Sequence, residues 1–211
     1  MPDATVQSGP NLHGMAPEPA PVVLLLIDVI NDFDFPESAG LLRHAVPMAR
    51  RISDLRSRAR EVGIPVIYVN DNFGRWRSDF RTTVEHCQRP KSAGREIATL
   101  LHPEPDDYFV LKPRHSGFYS TTLEVLLRDL RTETLILTGV AGDICVLFTA
   151  NDAYMRGFRI RVPEDCIASN SEEKNRGALA QMRTALKADI RQSTDLTWDV
   201  FANPHSPLSQ R

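Results

Sequence analysis

Cysteine is scarce in this chain, with 3 in 211 residues. An odd and sparse set (Cys87, Cys145, Cys166) does not build a disulfide framework, and a reducing compartment follows as the expectation. No charge of one sign dominates either. The formal net charge is −2, whereas a dedicated nucleic-acid binder normally shows a basic face. No apolar run approaches the 18 residues of a membrane span. The first 21 residues lack a cationic start followed by an apolar stretch, so they do not read as a signal peptide. No internal repeat or low-complexity tract is present. The chain is expected to be cytoplasmic, with neither nucleic acid nor membrane as a partner.

What is present is apolar and ordered. Hydrophobic residues make up 42% of the chain, and the long aliphatic runs exclude disorder for most of it. The length suits one core. Residues 1–21 hold five prolines and no periodicity, which reads as a flexible lead-in to a single domain over 22–211. Val22-Val-Leu-Leu-Leu-Ile27 suits a strand buried on both faces. Met48, Ile52, Leu55, Ala59 and Val62 follow at helical steps, with Pro47 near the start and Gly63 past the end. Pro65–Val69 is the second strand, residues 70–106 are irregular, and Asp107–Leu111 is the third. Thr121-Thr-Leu-Glu124 fits a capping box for a helix carrying Leu123, Leu126, Leu127 and Leu130. Thr134–Thr138 is a strand, a helix with Ile144, Leu147, Phe148 and Tyr154 closes at Gly157, and Arg159–Val162 is the fifth strand. Asn170 with Glu173 caps a last helix, and Trp198–Phe201 adds a sixth strand. Alternating strands and helices predict an α/β fold: three layers around a parallel, doubly wound sheet of roughly six strands.

In such sheets ligands bind beyond the carboxyl ends of the strands. There the sequence places Asp28, with Asn31, Asp32 and Asp34, after strand one. Asn70, Asp71 and Asn72 follow strand two, Lys112 strand three, and Gly139-Val-Ala-Gly-Asp-Ile-Cys145 strand four. An acid, a lysine and a cysteine are the parts of a thiol nucleophile with a proton acceptor and a cationic stabiliser. Each has a plainer reading: Asp28 as a turn residue, Lys112 as a solvated surface group, Cys145 as a small core residue. Three features favour chemistry. Asp28 follows six aliphatics, where a buried carboxylate needs a partner. Pro113 pushes Lys112 toward extended backbone. Cys145 lies in the first turn of a helix, where the macrodipole favours a thiolate. Cys87 and Cys166 lack any such context.

This order of Asp28, Lys112 and the Gly139–Val146 turn resembles the isochorismatase-like cysteine hydrolases over about residues 20–190. Lys112-Pro-Arg-His-Ser-Gly-Phe118, Asp152-Ala-Tyr-Met-Arg-Gly157 and Val162-Pro-Glu-Asp-Cys166 fit the same pattern. The resemblance implies an amidohydrolase acting on C–N bonds, with Asp28, Lys112 and Cys145 as a catalytic triad. Nicotinamidases, N-carbamoylsarcosine amidases and ureidoacrylate amidohydrolases belong to that family. It also implies oxyanion donors in the backbone N–H groups of Ala141 and Cys145, with a cis peptide between Val140 and Ala141. Two departures stand out. Gly142 replaces a frequent threonine, which is expected to loosen the turn before Cys145. Nicotinamidase-like members carry a metal site with an Asp and histidines after strand two, whereas Asp71 is followed by Asn72 and Phe73. No metal and no other cofactor is therefore expected. True isochorismatases lack the nucleophilic cysteine, so Cys145 argues against that reaction.

The expected partner is a small-molecule amide or carbamoyl substrate, and the expected assembly a homo-oligomer, dimer or tetramer. Phe33, Phe35, Trp76, Phe118 and Tyr119 are the candidate pocket residues, although the same aromatics fit equally as plugs that pack loops onto the sheet. Arg75, Arg77 and Arg81 read more readily as solvated than as carboxylate ligands. Lys112 beside Cys145 is expected to depress the thiol pKa. A phosphate-transfer enzyme of the haloacid-dehalogenase kind needs a second Asp two residues after the first, and Ile30 stands there. A dinucleotide binder needs glycines after strand one, and Asp28-Val-Ile-Asn31 has none. A non-catalytic interaction protein retaining the fold, and an isochorismatase-type hydrolase, remain the rivals.

Overall fold

The computed structural model describes residues 17–73 and 79–197. The first strand, β1 (Val22–Ile27), is buried throughout. Its side chains alternate between two cores: Val22, Leu24 and Leu26 join one, and Val23, Leu25 and Ile27 the other. That is the signature of a central parallel strand covered on both faces. The sheet has the order β3-β2-β1-β4-β5, with β2 at Val66–Asp71, β3 at Tyr108–Lys112, β4 at Thr134–Val140 and β5 at Arg159–Arg161. All of its pairings are parallel. The order reverses between β1 and β4, the switch point at which ligands bind in sheets of this kind.

Helices α1 (Ser38–Glu61), α2 (Phe80–Cys87) and α3 (Arg95–Leu100) cover one face, and α4 (Leu123–Asp129), α5 (Leu147–Met155) and α6 (Glu172–Ala185) the other. The apolar period of α1 runs back past the expected start, through Leu41 and Ala45. Pro47 is therefore inside the helix and not at its entrance. It lies on the exposed side, where the carbonyl that it leaves unpaired is open to water. Nothing at Glu37, the residue before the helix, gives a side-chain cap, so the start carries no signal in the sequence.

Other expectations need correction. Two short helices, α2 and α3, break the stretch 70–106 that reads as irregular. Asp79 caps α2 by accepting the Thr82 N–H at 2.8 Å. The expected capping box at Thr121 is absent: α4 begins after Thr122, and the Thr121 hydroxyl accepts the Leu123 N–H at 3.2 Å while donating to the Gly117 carbonyl, with no reciprocal bond from Glu124 among the described residues. Ser171, not Asn170, caps α6, accepting from Lys174 N–H. The sixth strand is the short β6 (Ile167–Ala168), beside the end of β4; Trp198–Phe201 lies outside the described residues. The proposed lead-in also ends earlier than residue 21. Ala20 N–H donates to Leu130 O at 2.6 Å, and Pro21 O accepts from Glu133 and Thr134, so the strand entrance is tied to the domain. No described helix is long and apolar enough to cross a membrane.

Candidate active site

Three strand ends converge at the switch point. Asp28 follows β1 with φ 51°, a left-handed turn that Asp accepts more readily than most residues. Its amide still donates to Val69 O at 3.0 Å, which keeps the turn flat against β2. Lys112 is the last residue of β3 and not the residue after it. Strand alternation puts it on the same face as Val110, and its side chain is 0% exposed. Gly139, near the end of β4, has φ +112°, and a Cβ there would stand 2.0 Å from Ile27 O. Only glycine lets β4 run this close to β1, and that approach brings the following turn against Asp28. The Val140–Ala141 peptide is cis. A π-helical turn, Gly142–Val146, then carries Cys145 into α5.

The result is a compact charged cluster. Lys112 Nζ lies 2.8 Å from Asp28 Oδ2 and 3.6 Å from Asp71 Oδ2, and it donates to Cys145 Sγ at 3.5 Å. Asp28 Oδ1 accepts the Asp71 N–H at 2.7 Å, and the Cys145 thiol lies within hydrogen-bonding reach of the same carboxylate. His115 Nδ1 is 4.0 Å from Sγ, with its ring 5.5 Å from that of Phe148. Sequence reasoning did not single out His115, although it lies in the quoted Lys112–Phe118 segment. It also missed Thr149. The Thr149 hydroxyl donates to Cys145 O at 2.7 Å and accepts the Gly117 N–H at 3.0 Å. It thereby clamps the lysine loop to the helix that follows Cys145, and its i+4 spacing from Cys145 is the signal that would reveal it. Asn70, fully buried, donates to Ile30 O at 2.6 Å and so holds the loop after β1 instead of facing the crevice.

Lys112 does pull the thiol pKa down as expected, but it does not dominate. Burial and then the Asp28 charge push the Cys145 thiol up to about 12, and Lys112 only partly offsets them. Burial and Asp28 thus disfavour a thiolate at Cys145, and Lys112 favours one. Burial likewise raises the Asp28 carboxyl, against the pull of Lys112. Burial alone would lower Lys112, but Asp28, Cys145 and Asp71 hold it above its usual range. Burial also pushes Cys87 and Tyr68 up to about 12. These groups keep their protons in the folded state while the unfolded chain releases them from about pH 9, the free thiol value. The folded state then binds more protons, so stability falls as pH rises from about 9 to about 12. Urea midpoints at pH 8, 9, 10 and 11 should decline steadily; a flat series would show that these thiols ionise in the folded protein.

The pocket aromatics divide. Phe33 is buried in the core on the α1 face. Phe118 packs 5.9 Å from Phe158 with the Arg156 guanidinium 4.8 Å over its ring. Both are loop plugs. Phe35 and Tyr119 are exposed, and Trp76, Arg75 and Arg77 lie outside the described residues. Arg81, on α2, lines a hollow with Phe80 and Phe109, away from Cys145.

The donor set does not fit the metal site that nicotinamidase-like relatives imply. Asp71 is taken by Lys112 and by the Phe73 N–H at 2.5 Å, and His86 pairs with Asp32 at 3.0 Å. Among the described residues no group of three or more His, Cys, Asp or Glu is placed to hold a metal ion. Turnover should survive exhaustive EDTA treatment; loss restored by zinc would show that residues outside this set complete a metal site.

Known proteins share this sequence pattern and this fold. The isochorismatase domain model matches residues 22–194. An uncharacterised isochorismatase family protein of Bacillus subtilis (strain 168), YaaI, is 44% identical over 167 residues, covering 79% of this chain and 91% of that protein. A ureidoacrylate amidohydrolase, RutB, of Methylobacterium radiotolerans is 28% identical over 198 residues, covering 81% and 76%. The crystal structure of N-carbamoylsarcosine amidase from Thermoplasma acidophilum superposes with a TM-score of 0.64 at 28% identity, over 83% of this chain and 98% of that one. With a family match across most of its length, a shared doubly wound sheet, and amidohydrolases of C–N bonds among its relatives, this chain belongs to the isochorismatase family of hydrolases.

Proposed function

We propose that this protein is a cysteine amidohydrolase that cleaves a C–N amide or carbamoyl bond of a small molecule in the cytoplasm. The convergence of Asp28, Lys112 and Cys145 within hydrogen-bonding distances carries the reading. Asp28 acts first: as substrate arrives it takes the Sγ proton, and the thiolate attacks the carbonyl carbon. Burial raises the Asp28 carboxyl toward the range in which a general base works well near neutrality. Lys112 compensates the negative charge that passes between carboxylate and sulfur. The tetrahedral oxyanion is held by the N–H groups of Ala141 and Cys145. This assignment is supported by the neighbours: Asp143 N–H goes to Ser169 Oγ, and Ile144 and Val146 N–H go to Ala141 O. One good donor is worth roughly 3–4 kcal/mol in the transition state. Asp28 then hands its proton to the departing nitrogen, the C–N bond breaks, and a thioester remains on Cys145. Water, deprotonated by Asp28, attacks that thioester; the C–S bond breaks, the carboxylic acid (a carbamic acid from a carbamoyl group) is freed, and Asp28 returns the proton to Cys145 Sγ.

The test is an ammonia-release screen over primary amides, carbamoyl amino acids and ureido acids. At least one should turn over with kcat/KM on the order of 10⁴ M⁻¹s⁻¹ or more. No release from any member, together with hydrolysis of an enol ether, would favour the isochorismatase-type reaction. No hydrolysis of either kind would favour a binding protein.

A further inference from the structure

Behind the nucleophile turn, on the side away from the Asp28–Lys112 pair, lies a second polar cluster that the proposed reaction does not use. Gly142 is buried, and an added Cβ would stand 2.6 Å from Asn175 Oδ1 and 3.1 Å from Ser169 Oγ. The amide of Asn175 thus fills the space where a larger residue at 142 would project. The expected looseness of this turn is not found. Ser169 Oγ accepts the Asp143 N–H at 3.1 Å and donates to Asn175 Oδ1 at 3.1 Å. Asn175 Nδ2 donates to Ile167 O at 3.4 Å, so the amide orientation is set by partners on both sides.

The fold delivers these residues deliberately close. Strand β6 pairs Gly139 with Ile167 and Val140 with Ala168, which leaves Ser169 level with the turn that follows β4. Ser169 is 1% exposed. Asn175 sits in the first turn of α6, with its own amide bonded to Ser171 O at 3.1 Å. The chain of contacts runs from the α6 backbone through Asn175 and Ser169 to Asp143, two residues before the sulfur.

We infer that Ser169 and Asn175 are positioning residues: they lock the Gly142–Val146 turn from behind and so hold Cys145 Sγ in register with Asp28 and Lys112. A misplacement of about 1 Å at a reacting atom costs on the order of 100-fold in rate, so a buried hydrogen bond on the turn backbone is well placed to control catalysis. Gly142 has no positive φ, and its backbone accepts a side chain. The nearest obstacle to one is Asn175 Oδ1, with Ile167 Cδ1 and Ser169 Oγ next at 3.1 Å, and removing the nearest makes the idea testable by compensation. The inference rests on the amidohydrolase reading only for its kinetic arm.

The experiment uses full-length Asn175→Ala, Ser169→Ala, Gly142→Ala and the double variant Gly142→Ala/Asn175→Ala. Two readouts are followed: kcat and KM for the best amide of the screen, and the pH profile of Cys145 carbamidomethylation by iodoacetamide. That profile reports the surroundings of Sγ, namely Asp28, Lys112, Asp71 and His115. Each single variant should lose about 10- to 100-fold in kcat with KM within about threefold of wild type. Its alkylation midpoint should fall from the alkaline value of wild type toward that of a free thiol, because the sulfur leaves its buried seat beside Asp28. In the double variant the alanine methyl fills the space left by the amide, and both readouts should return most of the way. Wild-type kcat and an unchanged profile in Asn175→Ala and Ser169→Ala would overturn the inference, as would losses in the double variant equal to the product of the singles. Should wild type turn over no amide, the amidohydrolase reading fails alone, and the alkylation profiles decide the positioning role by themselves.

Discussion

Cys145→Ala should show no measurable turnover of any amide that the wild-type protein cleaves, a loss of roughly 10⁴-fold or more. The thiol is the only atom in the cluster placed to form the thioester, and Lys112 and Asp28 both point their polar atoms at it. The fold should be untouched. Cys145 is partly exposed, and the backbone bond from Thr149 to Cys145 O does not involve the sulfur. Asp28→Asn should be nearly as damaging, since the amide keeps an acceptor for the Asp71 N–H but cannot take the thiol proton. Asparagine is a cleaner choice than alanine, which would leave Lys112 buried with Asp71 alone. The measurement is ammonia release under saturating substrate, alongside urea midpoints. Near wild-type rates in Cys145→Ala would end the covalent mechanism outright.

The second large effect is on both activity and stability. Lys112 is fully buried and ion-paired with Asp28, which is itself nearly buried. Lys112→Met keeps most of the stem volume but strands a carboxylate in the core. Breaking a buried pair from one side costs about 3–5 kcal/mol, so the variant should be markedly less stable than wild type. Without its partner the Asp28 carboxyl rises further, and the sign follows: the stability of the variant is greatest below the carboxyl's ordinary value, 3.8, and is lost as pH rises through its folded value. Lys112→Met should therefore approach wild-type stability in mild acid and fall well below it at pH 8. Lys112→Met/Asp28→Asn should recover the stability without recovering kcat. A single variant as stable as wild type at pH 8 would mean that Asp28 is solvated after all. Full activity in that variant would remove Lys112 from the mechanism.

The central strands were legible because their physics is local. Six consecutive aliphatics at 22–27 leave no solvent face, and only the middle of a parallel sheet accommodates that. The strand-end rule then gathered Asp28, Lys112 and Cys145 at one edge without any knowledge of distance. Features set by few residues or by distant partners were not legible. The start of α1 carries no capping side chain, and α3 spans six residues, too short for periodicity to stand out. Strand β6 has two residues and exists because β4 lies beside it. Phe33 and Phe118 read as pocket residues because aromatic loops look alike in one dimension; which face of the sheet they pack on depends on neighbours tens of residues away.

The same division holds for the chemistry. By itself the sequence determined the fold class and the identities of an acid, a lysine and a thiol at the strand ends, since strand period and residue type are local properties. Tertiary structure alone decided which influences act on their pKa values and in which direction. A lysine next to a cysteine predicts a depressed thiol pKa, yet burial and Asp28 together outweigh Lys112. It also decided what packs behind the Gly142–Val146 turn: Asn175 stands 33 positions after Gly142 in the chain, yet a Cβ at 142 would meet its Oδ1 at 2.6 Å. Desolvation and steric exclusion are sums over everything nearby, and what is nearby is known only once the chain has folded.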